Sequence, residues 1–249
     1  MMIYSILSMK RDPGELTTLL NGIKGISGVD LFSVSRDQLT AVVSDTGSAD
    51  LFATKSNVID YARIIETLAL QYTLLPMRYG SIMESNDAIV KMLERNYQEI
   101  QQNLLNVENK VEYGLKVFCD PGKLRSDLIE RVERSDQQPM ISARDNKNSV
   151  FKDYVNKKLR EYRIDELMLT FVDSVITGIS GYLVPIKAAS RFKKMASGTT
   201  IIDAVFLLDH KDEKKLIHAT ENFKTRFPEL NFVLTGPWPP YNFVETAIK

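Results

Sequence analysis

"IYSILSMKRDPGELTTLLNG" (residues 3–22) and "EYGLKVFCDPGKLRSDLIERV" (residues 112–132) share one plan. Each opens with a short run rich in apolar, β-branched and aromatic residues, which reads as a strand. Each then meets Asp-Pro-Gly and continues with the apolar spacing of a helix. The aspartate can accept from the first free amides of that helix, and a proline at its first position gives up only a donor that has no partner there. In the first copy Glu15 suits the positive end of the helix dipole, and Gly22 lies near the stop. Asp12 and Asp120 are 108 residues apart. A tripeptide recurs easily by chance. One that recurs at the same strand-to-helix junction predicts a repeated unit.

Outward from the first copy, "VDLFSVSRDQLTAVVSDT" (29–46) holds two apolar runs around a polar tip, a hairpin signal. "SNVIDYARIIETLALQYT" (56–73) places Val58, Ala62, Ile65, Leu68, Ala69 and Tyr72 at helical spacing, and "LLPMRYGSI" (74–82) resumes an extended pattern. The order is β-α-β-β-α-β, the split βαβ of a ferredoxin-like sandwich. Outward from the second copy comes a long helical region broken by the polar "RSDQQPMISARDNKNS" (134–149). Strands are expected around "VPIKAASRF" (184–192) and at "TIIDAVFLLD" (200–209). A helix follows at 212–227, with Leu216, Ala219 or Thr220, Phe223 and Phe227 on one face, and a last strand at "LNFVLTG" (230–236). The sequence therefore predicts two ferredoxin-like α+β domains, at 1–84 and 111–236, the second with an enlarged helical crossover. One helix over 85–110 joins them, burying Ile89, Met92, Leu93, Tyr97, Ile100 and Leu104. The chain closes on an arm rich in proline and aromatic residues, 237–249. Its prolines lack the donor that a central strand needs, so the arm is expected to end the last strand.

Composition narrows the function. The chain has 249 residues, 44% hydrophobic and 26% charged, with Lys+Arg and Asp+Glu both 32. That zero net charge lacks the basic excess of nucleic-acid or anionic-membrane binders, and neither partner is expected. A single cysteine, Cys119, forbids an internal disulfide and suits a reducing compartment. Arg11 and Asp12 interrupt the N-terminus too early for a signal peptide, and "DSVITGISGYLVPI" (173–186) falls short of the roughly 20 apolar residues of a membrane span. A soluble, cytoplasmic protein is expected.

Catalytic constellations are not signalled. His210 and His218, the only histidines, match no zinc spacing, and their ordinary reading is a surface or partly buried position. Cys119 sits just before a helix start, which can activate a thiol, but the plainer reading is a buried structural cysteine. No phosphate-cradling glycine motif occurs. The glycines of "NGIKGISGVD" (21–30) precede a strand where a cradle would precede a helix. The basic clusters "RFKKMASG" and "VNKKLREYR" read as solvated faces. No enzyme activity, cofactor or metal is expected.

Three segments stand out: "LLPMRYGSI" (74–82), the apolar "AVFLLD" (204–209), and the terminal arm with Trp238, the sole tryptophan. At these segments the chain resembles the GvpL/GvpF family of gas vesicle proteins. "LLPMRYGSIMESNDAIVKML" (74–93) is close to that family's Leu-Pro-x-Arg-[Phe/Tyr]-Gly-[Thr/Ser] stretch. "LTGPWPPYNFV" (234–244) matches its Gly-Pro-x-Pro-Pro-Tyr-x-Phe ending. "MIYSI" (2–6), "TAVVSD" (40–45), "VEYGLKVF" (111–118) and "AVFLL" (204–208) extend the likeness along the chain, whereas the middle matches only in pattern. "SNVIDYARIIE" (56–66) lacks a histidine expected early in this helix, so no role of that residue carries over. The resemblance implies a non-enzymatic, vesicle-associated accessory of gas vesicle assembly. Its implied partners are the hydrophobic shell protein, gas vesicle protein A, and other accessory proteins.

The motif positions Pro76, Arg78, Tyr79, Gly80, Gly236, Pro237, Trp238, Pro239, Pro240, Tyr241 and Phe243 are the candidate partner-binding residues. Trp238, Tyr241 and Phe243 either contact a partner or fold the arm back on the protein's own sheet. Arg78 either pairs inside its domain, with Glu84 for instance, or presents its charge to a partner. A different class of function, a small-molecule sensor built on paired ferredoxin-like domains, would place its ligand at the Asp-Pro-Gly turns.

Overall fold

The computed structural model describes residues 1–9, 12–47, 52–135, 149–194 and 198–244. Among them the chain runs β1 (Met2–Ser8), α1 (Pro13–Asn21), β2 (Leu31–Arg36), β3 (Leu39–Ser44), α2 (Lys55–Ala69), β4 (Leu74–Pro76), α3 (Asn86–Arg95) and α4 (Tyr97–Val107). It continues as β5 (Lys110–Phe118), α5 (Pro121–Ser135), α6 (Ser149–Leu183), β6 (Ala189–Lys194), β7 (Thr200–Asp209), α7 (Glu213–Arg226) and β8 (Asn231–Trp238). The strands form two four-stranded antiparallel sheets, β2-β3-β1-β4 and β6-β7-β5-β8. Counted from its own first strand, each half has the same order. The junctions repeat as well: the Gly14 N–H donates to Asp12 Oδ1 at 2.9 Å, and the Gly122 and Lys123 N–H groups donate to Asp120 Oδ1 at 2.9 and 3.1 Å. Of the polar break expected at 134–149, residues 136–148 lie outside the described residues, as do the arm's last five positions, 245–249.

The chain divides into two compact units. One comprises Met1–Tyr113 with Leu207–His210 and the chain from Gly236 on; the other comprises Gly114–Phe206 and Lys211–Thr235. In the first unit β1 is buried along nearly its whole length, so its sheet needs cover on both faces. Leu16, Leu20, Tyr61, Ile64, Ile65 and Leu68, from α1 and α2, cover one face. Ile89, Met92, Leu93, Ile100, Leu104 and Val107 cover the other. This corrects the expected linking helix. It is two helices broken at Asn96 (φ −107°, ψ 15°), whose side-chain amide donates back to the Met92 carbonyl at 2.8 Å. Both pack into the first unit because β1 leaves an apolar face for them, and Tyr97 is only partly buried. The α2 stripe also differs from expectation. Tyr61, Ile64, Ile65 and Leu68 are buried, and Val58 is 44% exposed.

In the second unit β7 buries Ile201, Ile202, Ala204 and Phe206. The expected face of α7, with Leu216, Ala219, Thr220, Phe223 and Phe227, is buried. The Phe223 ring lies 5.9 Å from that of Phe232 and 5.0 Å from that of Tyr182. Helix α6 buries Val172, Val175, Ile179 and Leu183, a spacing of three and four that packs one face. Contrary to the expectation of no span-length run, Tyr162–Ile186 is long and apolar enough to cross a membrane by length and composition; Arg163, Asp165 and Glu166 gather at its start, and Asp173 is the one charged residue between 167 and 186. The strand expected from 184 begins later, since residues 184–186 form a 3-10 turn before Ala189. Strand β8 continues through Pro237, whose peptide bond to Gly236 is cis, to Trp238. The strand thus ends at Pro239 and Pro240 as expected but takes in Pro237, because β8 is an edge strand, where a missing donor is tolerated.

Candidate functional site

Pro76, itself buried, closes β4, and the Met77 N–H donates to the Tyr4 carbonyl at 2.9 Å. The chain then reverses over residues 78–81. The Ser81 N–H and hydroxyl both donate to the Arg78 carbonyl, at 3.0 and 2.7 Å, and Gly80 takes φ +80°. This turn leaves Arg78 in solvent and Tyr79 half-buried. The Tyr79 ring meets that of Tyr61 edge to face at 5.4 Å, and its hydroxyl donates to the Phe52 carbonyl at 3.1 Å. Tyr61, from α2, stacks on Tyr4 at 5.7 Å and hydrogen-bonds the Met77 carbonyl. Burial, then the neighbouring Tyr241 and Tyr4, pushes the Tyr61 phenol well above its ordinary value.

The far end of the chain arrives at the same place. Pro239 and Pro240 are buried, and the Tyr241 N–H donates to the Pro239 carbonyl at 2.7 Å. Asn242 grips Glu112, a carboxylate only 3% exposed: its N–H donates to Oε2 at 2.7 Å and its side-chain amide to Oε1 at 2.5 Å. Phe243 and Val244 pack on the core cluster of α3 and α4. Burial pushes the Tyr241 phenol up, with Glu66 and Glu112 adding to the shift.

Val58, Tyr61, Pro76, Arg78, Tyr79 and Tyr241 line one cleft of about 400 Å³ in the first unit. Pro237, Trp238, Pro239 and Pro240 border a larger one of about 720 Å³, with Glu66 and Leu70. The structure thus brings Pro76, Arg78 and Tyr79 together with Tyr241. Gly236 lies elsewhere, at φ +132°, against the Glu112 carbonyl and the Tyr113 ring. Phe243 serves the core, and Trp238 is 40% exposed. The expected pairing of Arg78 with Glu84 is not formed. Residues 81–83 run extended beside β1, with the Ile3 N–H donating to the Ser81 carbonyl and the Met83 N–H to the Met1 carbonyl, both at 2.9 Å, and this separates the two side chains. Tyr61, Glu112 and Asn242 are absent from the sequence-based candidates. A lone carboxylate within apolar β5 was the available signal for Glu112.

Elsewhere, burial and then Asp120 push the Cys119 thiol up, opposite to activation. His210 and His218 are both exposed. Among the described residues no group of three or more His, Cys, Asp or Glu side chains is placed to hold a metal ion.

The profile described as gas vesicle synthesis protein GvpL/GvpF matches residues 1–245. The chain belongs to the GvpL/GvpF family. Among its relatives, gas vesicle protein F1 of Halobacterium salinarum is 23% identical over 232 residues, covering 91% of this chain and 87% of the relative. Gas vesicle protein L of a Streptomyces species is 20% identical over 191 residues, 74% and 67% of the two chains. The crystal structure of GvpF from Anabaena sp. PCC7120 superposes with a TM-score of 0.75 at 18% identity, covering 97% of this chain and 94% of that one. That of GvpF from Microcystis aeruginosa gives 0.74 at 16% identity, covering 97% of each. This GvpL/GvpF protein therefore shares the GvpF fold along nearly its whole length.

Proposed function

We propose that this GvpL/GvpF protein is a non-enzymatic accessory of gas vesicle assembly, acting in the cytoplasm and at forming vesicles. It binds the small hydrophobic shell protein, gas vesicle protein A, and other accessory proteins. Its two units are ferredoxin-like sandwiches, a reading supported by the strand order that both halves share. One observation carries the functional reading: the two stretches that resemble the family's motifs, far apart in the chain, line one cleft with Tyr79, Tyr241 and Val58. Aromatic side chains set in a cleft are what interfaces draw their energy from. A shell subunit with an exposed apolar face aggregates unless a partner covers it.

The sensor alternative fits less well. A ligand at the Asp-Pro-Gly turns would compete for the Gly14 and Gly122 amides, which Asp12 and Asp120 already hold.

The test is capture of co-expressed shell protein by tagged wild type and by Tyr241→Ser. Wild type retains the shell protein, and the variant, folded by circular dichroism, loses most of it. Failure of wild type to capture the shell protein would overturn the reading, and a stability shift in a metabolite panel would then favour the sensor.

A further inference from the structure

We propose that the cleft lined by Arg78 takes an apolar segment of the partner bearing an acidic side chain, whose carboxylate the Arg78 guanidinium anchors. This rests on the partner-binding reading and adds to it the chemistry of the contact.

The first observation is charge. Arg36 pairs with Glu94 at 2.9 Å, Arg63 with Asp60 at 3.2 Å, and Arg125 with Asp165 at 3.3 Å. Arg78 has no ion pair among the described residues, and no residue lining its cleft is acidic. The second is the wall chemistry. Val58, 44% exposed, and Ala62 line the cleft from α2, and Met77 and Val244 add apolar wall. Phe52, 70% exposed, adjoins the cleft through the bond from the Tyr79 hydroxyl to its carbonyl. A planar guanidinium beside tyrosine rings binds a carboxylate in two-pronged fashion, and apolar walls strengthen that pair by excluding water. About 400 Å³ holds a few side chains of an inserted segment.

The same features disfavour other occupants. Nucleic acid needs many cations, and here there is one, on a chain of zero net charge. A second copy docked cleft to cleft would set Arg78 against Arg78 with no lining acid to offset them.

The experiment measures capture of co-expressed shell protein, at low and high salt, by the full-length chain and its Arg78→Ala, Arg78→Glu, Arg78→Lys and Val58→Asp variants. Leu105→Asp, at an exposed site outside this cleft, is the control. Arg78 and Val58 are both exposed, so folding should survive, checked by thermal melting. Arg78→Ala is expected to weaken capture about tenfold and remove its salt dependence. Arg78→Glu should weaken it further, Arg78→Lys should restore part, and Leu105→Asp should leave it unchanged. An acid-to-lysine scan of the shell protein should yield a variant that recovers binding to Arg78→Glu. If wild type and Arg78→Ala capture equally, the anchor is wrong while the accessory reading stands. If wild type captures nothing, both fall. A homodimer that dissolves on Arg78→Glu would give the cleft to a second copy and overturn the proposal.

Discussion

Gly80 and Gly236 stand in the two motif stretches for different physical reasons. At Gly80, with φ +80°, an added Cβ meets no atom within 4 Å, so alanine costs only the left-handed backbone, about 1 kcal/mol. At Gly236, with φ +132°, the Cβ would lie 2.9 Å from both the Glu112 carbonyl oxygen and Tyr113 Cδ1. That conformation is closed to other residues and the space is filled, so Gly236→Ala should cost about 3 kcal/mol or more. Urea unfolding of the two variants checks the ranking, and a costlier Gly80→Ala would refute it. The tyrosines make a second prediction. Burial pushes the phenols of Tyr4, Tyr61, Tyr113 and Tyr241 above their ordinary 10.0. Above that pH the unfolded chain ionises while the folded chain keeps its protons. The folded state then binds more protons, so these groups make stability fall as pH rises above about 10 and leave it flat below. Tyr61→Phe removes one such group, so its loss of stability above about pH 10 should be shallower than that of wild type in urea unfolding. Equal slopes would show that the Tyr61 phenol ionises as freely folded as unfolded.

Helices α3 and α4 show how an element's role depends on what it covers. Leu93 is fully buried in the cluster over β1, and Leu105, on α4, is 59% exposed. Leu93→Ala should therefore cost about 3 kcal/mol through lost burial and a cavity, and Leu105→Ala no more than about 0.5 kcal/mol. Similar losses at both sites would mean that these helices do not form the second cover of the sheet. The strand and helix order was legible because its signals are local: three residues decide the cap at Asp12, and the apolar spacing of α7 reads directly as its buried face. Features set by distant partners were not. The proline rule misled at Pro237 because edge status belongs to the sheet and not to the segment. The break at Asn96 and the second cover over β1 depend on a face whose exposure no helix pattern declares. At the candidate site, Arg78, Tyr79 and Tyr241 were found through motif likeness. Val58 was misplaced because its spacing fits the buried face of α2 although the cleft leaves it outside. Glu112 and Asn242 were missed since each is meaningful only beside the other.

The first unit is assembled from both ends of the chain, and the Glu112–Asn242 contact is the polar link that closes it. A carboxylate this buried is tolerated because it is hydrogen-bonded, and losing one of its donors weakens that compensation where water does not replace it. Asn242→Ala removes the side-chain donor but keeps the backbone one, and should cost about 2 kcal/mol. Glu112→Gln turns an acceptor pair into one acceptor and one amide that faces a donor, and should cost as much or more. Because both substitutions break one interaction, the double variant should fall short of the sum of the singles. Urea unfolding of the four proteins closes this cycle. Strict additivity would mean that the terminal turn is held by Phe243 and Val244 alone. Truncation after Thr235 also removes Phe243 and Val244 from the core cluster, so it damages the first unit whatever the arm binds. Loss of shell-protein capture in a truncated chain therefore cannot by itself assign a contact to Tyr241. Tyr241→Ser, which keeps Asn242, Phe243 and Val244 in place, separates binding from closure.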